Sequence, residues 1–164
     1  MDNFDWTQFS KRVYINAELA SVYNAWTKSE VLETWFLSKA SFFTKDDKKI
    51  LPSESVASES VYKWNWFAQD YYEEGTINQS NGIDFLEFTF VGDCIVQIQL
   101  SKERNQTLVT LTQSKIPLDN NSKKNIRLGC AFGWSFYLLN LKSLLEGGID
   151  LRNKDTEILG VINN

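Results

Sequence analysis

Apolar and polar residues alternate along several stretches of the chain, with the two-residue period of a half-buried strand. The first stretch covers residues 9–16, FSKRVYIN, and a shorter one covers residues 39–45. Further stretches follow one another through the middle of the chain: residues 61–67, 71–79, 85–91, 94–100 and 107–113. Consecutive strands with short connections predict an antiparallel meander that is buried on one face and wet on the other.

A helical period appears twice after the first predicted strand. Residues 17–26 repeat large apolar side chains every three to four positions, which predicts a short amphipathic helix. Thr27 and Glu30 have the spacing of a capping box, and Ser29 is an alternative N-cap. A second short helix is therefore expected to begin near Ser29.

The helical period returns near the end of the chain and persists for much longer. Residues 126–145 keep an apolar strip that is wide enough to face a sheet along its whole length. Gly147–Gly148 follows and suits a left-handed C-cap. Neither this helix nor a half-wet sheet can bury its apolar face alone, so we expect the two to pack together.

Turn residues divide the meander. Asn81–Gly82 lies between two strand patterns and predicts a hairpin turn. Gly75 interrupts the pattern of residues 71–79 and is interpreted as the mark of a β-bulge. The polar segment 46–60 predicts a loop.

These elements together predict an α+β fold of the helix-grip type. A curved antiparallel sheet of about six to seven strands would wrap a long C-terminal helix, with two short helices after the first strand. We expect residues 1–164 to form one domain whose core covers about residues 9–152. No secondary structure is predicted for the tail from Arg152 onward.

The composition adds a large aromatic content, with 6 Trp, 6 Tyr and 11 Phe among 164 residues. Such rings either fill a thick core or line a cavity that stays partly empty. The net charge is −4 and no long run of Lys or Arg exists, which argues against nucleic acid as a partner. The chain has no His, the commonest general base and metal ligand, so no metal or cofactor is expected.

Cys94 and Cys130 are far apart and lack metal-ligand spacing, so they are interpreted as small buried hydrophobic residues. No apolar stretch is long enough to span a bilayer, and the N-terminus lacks the apolar core of a signal peptide. A cytoplasmic location is the resulting expectation.

Several segments resemble the SRPBCC (START-like, birch-pollen-allergen-like) proteins, and within them the branch named after the activator of the heat-shock-protein-90 ATPase. The resemblance runs from about residue 9 to 152. The segments that carry it are Val13–Ala17, Val22–Thr27, Trp35–Phe36, Leu86–Phe90, Thr107–Gln113 and the helix from Gly133 to Gly148. Each is a core-packing pattern, and their order and spacing together make the likeness specific.

The sequence departs from that family in two places. The His often found at the start of the last helix is absent from Ile126–Gly129. The usual glycine-rich turn before the third strand is replaced by Ser58–Ser60. The first departure argues against any chemistry based on His.

The resemblance implies a cavity between the sheet and the C-terminal helix. Its candidate lining residues are the large apolar side chains predicted to face inward from the strands and the helix. They are Tyr62, Trp64, Trp66, Phe88, Phe90, Ile98, Trp134, Tyr137, Leu138 and Leu141. Each has two interpretations, as packing that fills the core or as a cavity wall.

Charged residues on the predicted strands and helix also have two interpretations. Glu73, Glu74 and Glu87 are mostly expected to be solvated, but a regular strand would turn one of Glu73 and Glu74 inward. A carboxylate inside an apolar cavity would have a raised pKa and could act as an acid, a base or a ligand anchor. Arg127 could pair with an anionic ligand or lie on the surface.

Three functions remain open. A protein that binds a small apolar or amphipathic molecule would show a cavity of roughly 300 Å³ or more. A chaperone-binding module is implied by the family that the chain resembles. An enzyme such as a cyclase or hydrolase would need a buried carboxylate or a Tyr–Arg pair, and catalysis is the least favoured of the three.

Overall fold

A computed structural model describes residues 4–163 of the chain. Seven strands alternate inward and outward side chains, as the two-residue period requires. They are β1 (Phe9–Ile15), β2 (Lys39–Phe43), β3 (Val61–Asn65), β4 (Tyr72–Ser80), β5 (Phe85–Thr89), β6 (Ile95–Glu103) and β7 (Gln106–Ser114). All pairs are antiparallel, in one sheet of order β1-β7-β6-β5-β4-β3-β2. The meander is confirmed, and β1 closes onto β7.

Helices follow the first strand and end the fold. The two short helices are α1 (Leu19–Thr27) and α2 (Ser29–Trp35). The C-terminal helix is continuous over three segments: α3 (Asn120–Ser122), a π-helical segment (Lys123–Leu128) and α4 (Gly129–Leu145). Buried residues of α4 join the same hydrophobic core as the sheet. The α+β class and the helix-grip arrangement are therefore confirmed.

The capping box between the two short helices does not form. Thr27 is still part of α1, and its hydroxyl donates to the carbonyl oxygen of Tyr23 at 2.9 Å. Lys28 precedes α2 and makes no side-chain capping bond. The prediction was wrong because the Thr27 hydroxyl is already committed to the preceding helix.

Gly75 has a different role from the predicted bulge. The irregular register of β4 against β5 lies between Ile77 and Gln79. A Cβ at Gly75 would lie 2.5 Å from Oη of Tyr62 and 2.6 Å from Oγ1 of Thr89. Because Gly75 has no Cβ, the Tyr62 hydroxyl can cross β4 and donate to the carbonyl oxygen of Thr89 at 2.6 Å. Glycine is needed here for close approach.

The other two turn predictions are confirmed. Gly82 has a φ of +77°, and Oδ1 of Asn81 accepts three backbone N–H groups in the turn between β4 and β5. Gly147 has a φ of +83°, and the N–H of Gly148 donates to the carbonyl oxygen of Ser143 at 2.7 Å. The C-terminal helix thus ends in the left-handed conformation that favours glycine.

The chain after the helix is held by a buried polar cluster, which we call the tail cluster (Asn140, Asp150 and Arg152). The Asn140 side chain is fully buried, and its Nδ2 donates to the carbonyl oxygen of Trp35 and to Oδ1 of Asp150. Its Oδ1 accepts the N–H of Leu151 at 2.7 Å. One amide therefore joins α4, α2 and the tail.

Arg152 completes the tail cluster. Its guanidinium is buried, forms an ion pair with Asp150 and donates to carbonyl oxygens of Glu33, Thr34 and Leu37. These carbonyls belong to or follow the last turn of α2, where a helix leaves acceptors without partners. The guanidinium also lies 5.3 Å from the ring of Phe67. The tail thus caps α2 and contacts the loop between β3 and β4.

None of the helices within residues 4–163 combines the length and the apolar content that crossing a bilayer requires.

Candidate functional site

Aromatic rings fill most of the space between the sheet and the C-terminal helix. Tyr62 stacks on Trp64 with ring centroids 3.9 Å apart, and Trp64 meets Phe88 edge to face at 5.3 Å. Phe36 links these strand residues to the helix, 5.6 Å from Trp64 and 5.1 Å from Trp134. Such ring pairs favour dense packing over an empty interior.

One pocket of about 350 Å³ remains at the end of this aromatic cluster. Its walls come from the end of α2, the β3–β4 loop, the start of β4, the end of β5 and residues 125–137 of the C-terminal helix. The lining residues are Phe36, Trp66, Gln69, Tyr71, Glu73, Phe90, Val91, Asn125, Ile126, Gly129, Cys130, Gly133, Trp134 and Tyr137. The pocket is open to solvent at the β3–β4 loop, where Tyr71 is mostly exposed.

The helix contributes one face to the pocket. Ile126, Cys130, Gly133 and Tyr137 follow the three- to four-residue spacing that places side chains on one side of a helix. A Cβ built on Gly133 would meet no atom within 4 Å. The missing side chain therefore leaves space that is part of the pocket. Close packing with a neighbouring segment does not require glycine at this position.

The π-helical segment, Lys123–Leu128, forms the beginning of the helical wall, through Asn125 and Ile126. A π-helical turn is wider than an α-helical one and recurs at functional sites. The segment follows the N-cap Asp119, whose Oδ1 accepts the N–H of Ser122 at 3.0 Å. Carboxylate capping fixes the start of the helix just before the pocket wall.

Glu73 is the acidic residue of the pocket. Its Oε1 accepts the backbone N–H of Val91 at 2.7 Å, and the N–H of Gly92 also donates to the carboxylate. Burial raises the pKa of Glu73, and the two backbone hydrogen bonds offset only part of that effect. Glu74 points the other way and pairs with Lys63 at 2.6 Å on the outer face. The prediction that one of the two faces inward is confirmed.

The thiol and phenol groups at the pocket stay neutral at physiological pH. Burial raises the pKa of the Cys130 thiol to about 11 and that of Tyr137 to about 12. A protonated thiol is a poor nucleophile. Among residues 4–163 no cluster of His, Cys, Asp and Glu could hold a metal ion. Chemically, the pocket offers apolar contact, aromatic faces and one carboxylate that can accept hydrogen bonds or a proton.

The structure brings together four of the ten side chains that the sequence proposed for a cavity: Trp66, Phe90, Trp134 and Tyr137. The other six are buried in the filled part of the core and do not line the pocket. They are Tyr62, Trp64, Phe88, Ile98, Leu138 and Leu141. The indole Nε1 of Trp134 donates to Oε1 of Gln113 at 2.9 Å, so this donor is already used inside the core.

Arg127 lies away from the pocket lining. Its guanidinium lies over the rings of Phe4 and Phe9, and its Nε donates to the carbonyl oxygen of Asp5 at 2.9 Å. It holds the N-terminal segment against the helix. Of the two interpretations, the structure supports a role at the surface of the fold.

Several lining residues escaped the sequence argument. Cys130 could have been found, because it is four residues after Ile126 and three before Gly133 on the predicted helical strip. Gln69 gave no signal, since it lies in a loop whose path depends on packing against distant elements. Tyr71 begins the predicted strand 71–79 and shares a face with Glu73, but it was not proposed as a lining residue. Phe36 was not among the proposed lining residues, and the structure shows that it lines the pocket.

Known structures of the same fold were found with low sequence identity. The Aha1 dimer from Colwellia psychrerythraea has 20% identity and a TM-score of 0.68, over 86% of this chain and 97% of that chain. The AHSA1-like protein from Aeromonas hydrophila has 18% identity and a TM-score of 0.59, over 85% and 92%. DynU16, a protein of the dynemicin biosynthetic locus, has 18% identity and a TM-score of 0.68, over 90% of this chain and 50% of that chain. These likenesses show the fold.

The sequence itself identifies the family. A comparison with curated proteins found no match. Residues 16–146, which include everything from the end of β1 to the end of the C-terminal helix, match the family described as activator of Hsp90 ATPase homolog 1-like protein. The chain therefore belongs to the family of activator of Hsp90 ATPase homolog 1-like proteins, within the SRPBCC proteins.

Proposed function

We propose that the protein binds a small apolar or amphipathic molecule in the pocket between the sheet and the C-terminal helix. The observation that carries this proposal is the aromatic pocket of about 350 Å³. Its volume lies within the usual range of small-molecule sites, roughly 300–1,000 Å³. Its apolar walls and few polar groups are also typical of such sites.

Gly133 supports the proposal from a different direction. Glycine inside a helix costs about 1 kcal/mol relative to alanine. Nothing at Gly133 requires the missing side chain for packing, since an added Cβ would meet no atom within 4 Å. The position thus keeps the pocket open at the expense of helix stability, which a purely structural role would not need.

The pocket-filling variant Gly133→Leu tests the proposal. Wild-type protein and the variant are purified from the same host, and released small molecules are identified by mass spectrometry. In parallel, a panel of aromatic fragments is titrated into ¹⁵N-labelled protein. We expect fragments to shift the signals of lining residues such as Trp66 and Cys130 in the wild type, with at least about tenfold weaker binding in Gly133→Leu.

Gly133→Ala is the matched control, because a methyl group fills little of the pocket. Circular dichroism and thermal unfolding establish that each variant folds. Fragments that bind wild type and Gly133→Leu equally well, or that bind neither, would contradict the proposal.

A chaperone partner is the second candidate, and it is supported by the family match and by the Aha1 relative from Colwellia psychrerythraea. Such binding would use surface contacts and would not depend on the pocket. Wild-type protein and Gly133→Leu are both expected to retain a chaperone of the heat-shock-protein-90 class in a purified pull-down. Failure of both to do so would remove this candidate and leave the ligand proposal in place.

A further inference from the structure

The charges around the pocket are one-sided. Among its fourteen lining residues, Glu73 is acidic and none is Lys or Arg. Gln69 and Asn125 are the neutral amides. The whole chain has a formal charge of −4, so the long-range field also favours a positively charged visitor.

Glu73 keeps acceptor capacity that the protein does not use. Its described hydrogen bonds come from the backbone N–H groups of Val91 and Gly92. A carboxylate has about four lone-pair sites, so two backbone donors leave room for another donor or a cation. Burial without a paired cation is costly, and the carboxylate therefore gains most from a ligand that brings positive charge.

The negative charge of Glu73 reaches the groups around it. Burial is the larger cause of the raised pKa of Tyr71 and of the Cys130 thiol, and the Glu73 charge raises both further. Tyr71 lies at the mouth, and Cys130 lies on the helical wall. The field of the carboxylate therefore reaches the mouth and the helical wall, and no lining residue is basic. One cation outside the lining, Arg152, offsets part of the effect of burial on the pKa of Tyr137, but it is itself paired with Asp150.

Aromatic faces add to this preference. Six of the lining residues are aromatic: Phe36, Trp66, Tyr71, Phe90, Trp134 and Tyr137. The face of an aromatic ring carries partial negative charge and attracts an ammonium group, most strongly for Trp. Rings combined with one carboxylate form the type of site that recognises organic ammonium groups.

We propose that the natural occupant of the pocket is a small organic cation, whose ammonium group lies between the Glu73 carboxylate and the aromatic walls. This inference rests on the proposed ligand-binding function and names the chemical class of its ligand. An anionic ligand would be repelled by Glu73. A neutral apolar ligand would bury the carboxylate further without pairing it, so the pocket discriminates by charge as well as by shape.

Two probes of nearly equal shape test the inference. They are meta-hydroxyphenyl-trimethylammonium and its uncharged isostere, meta-tert-butylphenol. Dissociation constants are measured by isothermal titration calorimetry and by chemical-shift titration. We expect the cation to bind the wild type at least about tenfold more tightly than the phenol.

Two variants of neighbouring residues test whether the charge of Glu73 causes the preference for the cation. Glu73→Gln keeps the shape and an acceptor for Val91 but removes the charge, so the preference should fall to about onefold or reverse. Glu74→Gln removes a charge from the same strand on the outer face and should keep the preference. Both proteins retain all core residues, and their thermal unfolding shows that they fold.

The outcomes separate the two proposals. Equal or tighter binding of the phenol, or a preference that survives Glu73→Gln, would overturn the cation inference while the ligand-binding proposal stands. Binding of neither probe, at concentrations up to their solubility, would overturn both.

Discussion

Two partly buried carboxylates, Asp150 and Glu73, distinguish two regions of the molecule, the tail cluster and the pocket. In the tail cluster, Asp150 is paired with Arg152 and Lys154 and accepts from the Asn140 amide. Burial alone would raise the pKa of Asp150, but these hydrogen bonds outweigh it and hold the pKa well below its usual range. In the pocket, Glu73 accepts from backbone N–H groups, pairs with no basic side chain of residues 4–163, and has its pKa raised by burial. A satisfied charge serves structure, whereas an unsatisfied one is available to a ligand.

The largest effect is expected from removing the cation of the tail cluster. Arg152→Met should lower the free energy of unfolding by about 3–5 kcal/mol, because it leaves the partly buried Asp150 without its main partner and removes the donor to three carbonyl oxygens at the end of α2. Chemical denaturation measures the change. Lys154→Met is the matched control: this lysine also pairs with Asp150 but is half exposed, so its loss should cost about 0–1 kcal/mol. Equal losses would refute the assignment of Arg152 as the buried anchor.

The next effect comes from the amide at the centre of the tail cluster. Asn140→Leu is nearly the same size but leaves the carbonyl oxygen of Trp35 and the N–H of Leu151 without their partner. A loss of about 1–3 kcal/mol is expected in the same denaturation assay. Hydrogen exchange should also accelerate at Leu151. A neutral result would mean that the tail is held by Arg152 alone.

A substitution in the pocket should stabilise the protein, in contrast to the two substitutions in the tail cluster. Gly133→Ala is expected to raise the free energy of unfolding by about 1 kcal/mol, since it removes the conformational cost of glycine and its methyl group enters open space. Thermal unfolding measures it. Destabilisation would show that the space at this position is needed by the fold, and the comparison between an open pocket and a satisfied cluster would fail.

The smallest effect concerns pH. Because folding raises the pKa of Glu73, the folded state binds more protons than the unfolded state between the ordinary and the raised pKa. Stability therefore falls as pH rises through that window, and Glu73→Gln should remove the fall. Above the window the variant should be more stable by less than about 1 kcal/mol, since solvent at the mouth screens the charge.

The neighbours of Glu73 do not contribute to the pH dependence of stability in this window. The titratable groups whose pKa it raises are Tyr62, Tyr71, Cys94 and Cys130. All four stay protonated near the ordinary pKa of a carboxyl group. Asp150 contributes with the opposite sign, because its lowered pKa adds stability that is lost as pH falls. Denaturation curves recorded across acidic pH for wild type, Glu73→Gln and Glu74→Gln separate these contributions.

Local periodicity accounts for how well the strands and helices could be predicted. Burial repeats every two residues in a strand and every three to four in a helix, so Glu73 and Glu74 could be assigned to opposite faces from their positions alone. The same periodicity could not separate the pocket from the filled core. Trp64 and Trp66 share one pattern, but Trp64 is stacked in the core and Trp66 lines the pocket.

The tail cluster lay beyond any local signal. Arg152 bonds to the carbonyl oxygens of Glu33, Thr34 and Leu37, which are more than a hundred positions earlier in the chain. No spacing rule connects residues that far apart. Every residue has a backbone carbonyl, so these acceptors cannot be recognised from the residue types. The tail has no periodic pattern, so the sequence predicted no structure for it. It nevertheless contains Arg152, one of the most buried charged side chains of the described residues.

The β3–β4 loop joins the two regions through a single peptide bond. Trp66 lines the pocket, and the next residue, Phe67, lies under the guanidinium of Arg152. The pocket wall is thus linked to the tail through one peptide bond and the contact between the side chains of Phe67 and Arg152. Removal of the tail by a protease should therefore loosen this wall, even though no residue of the tail lines the pocket.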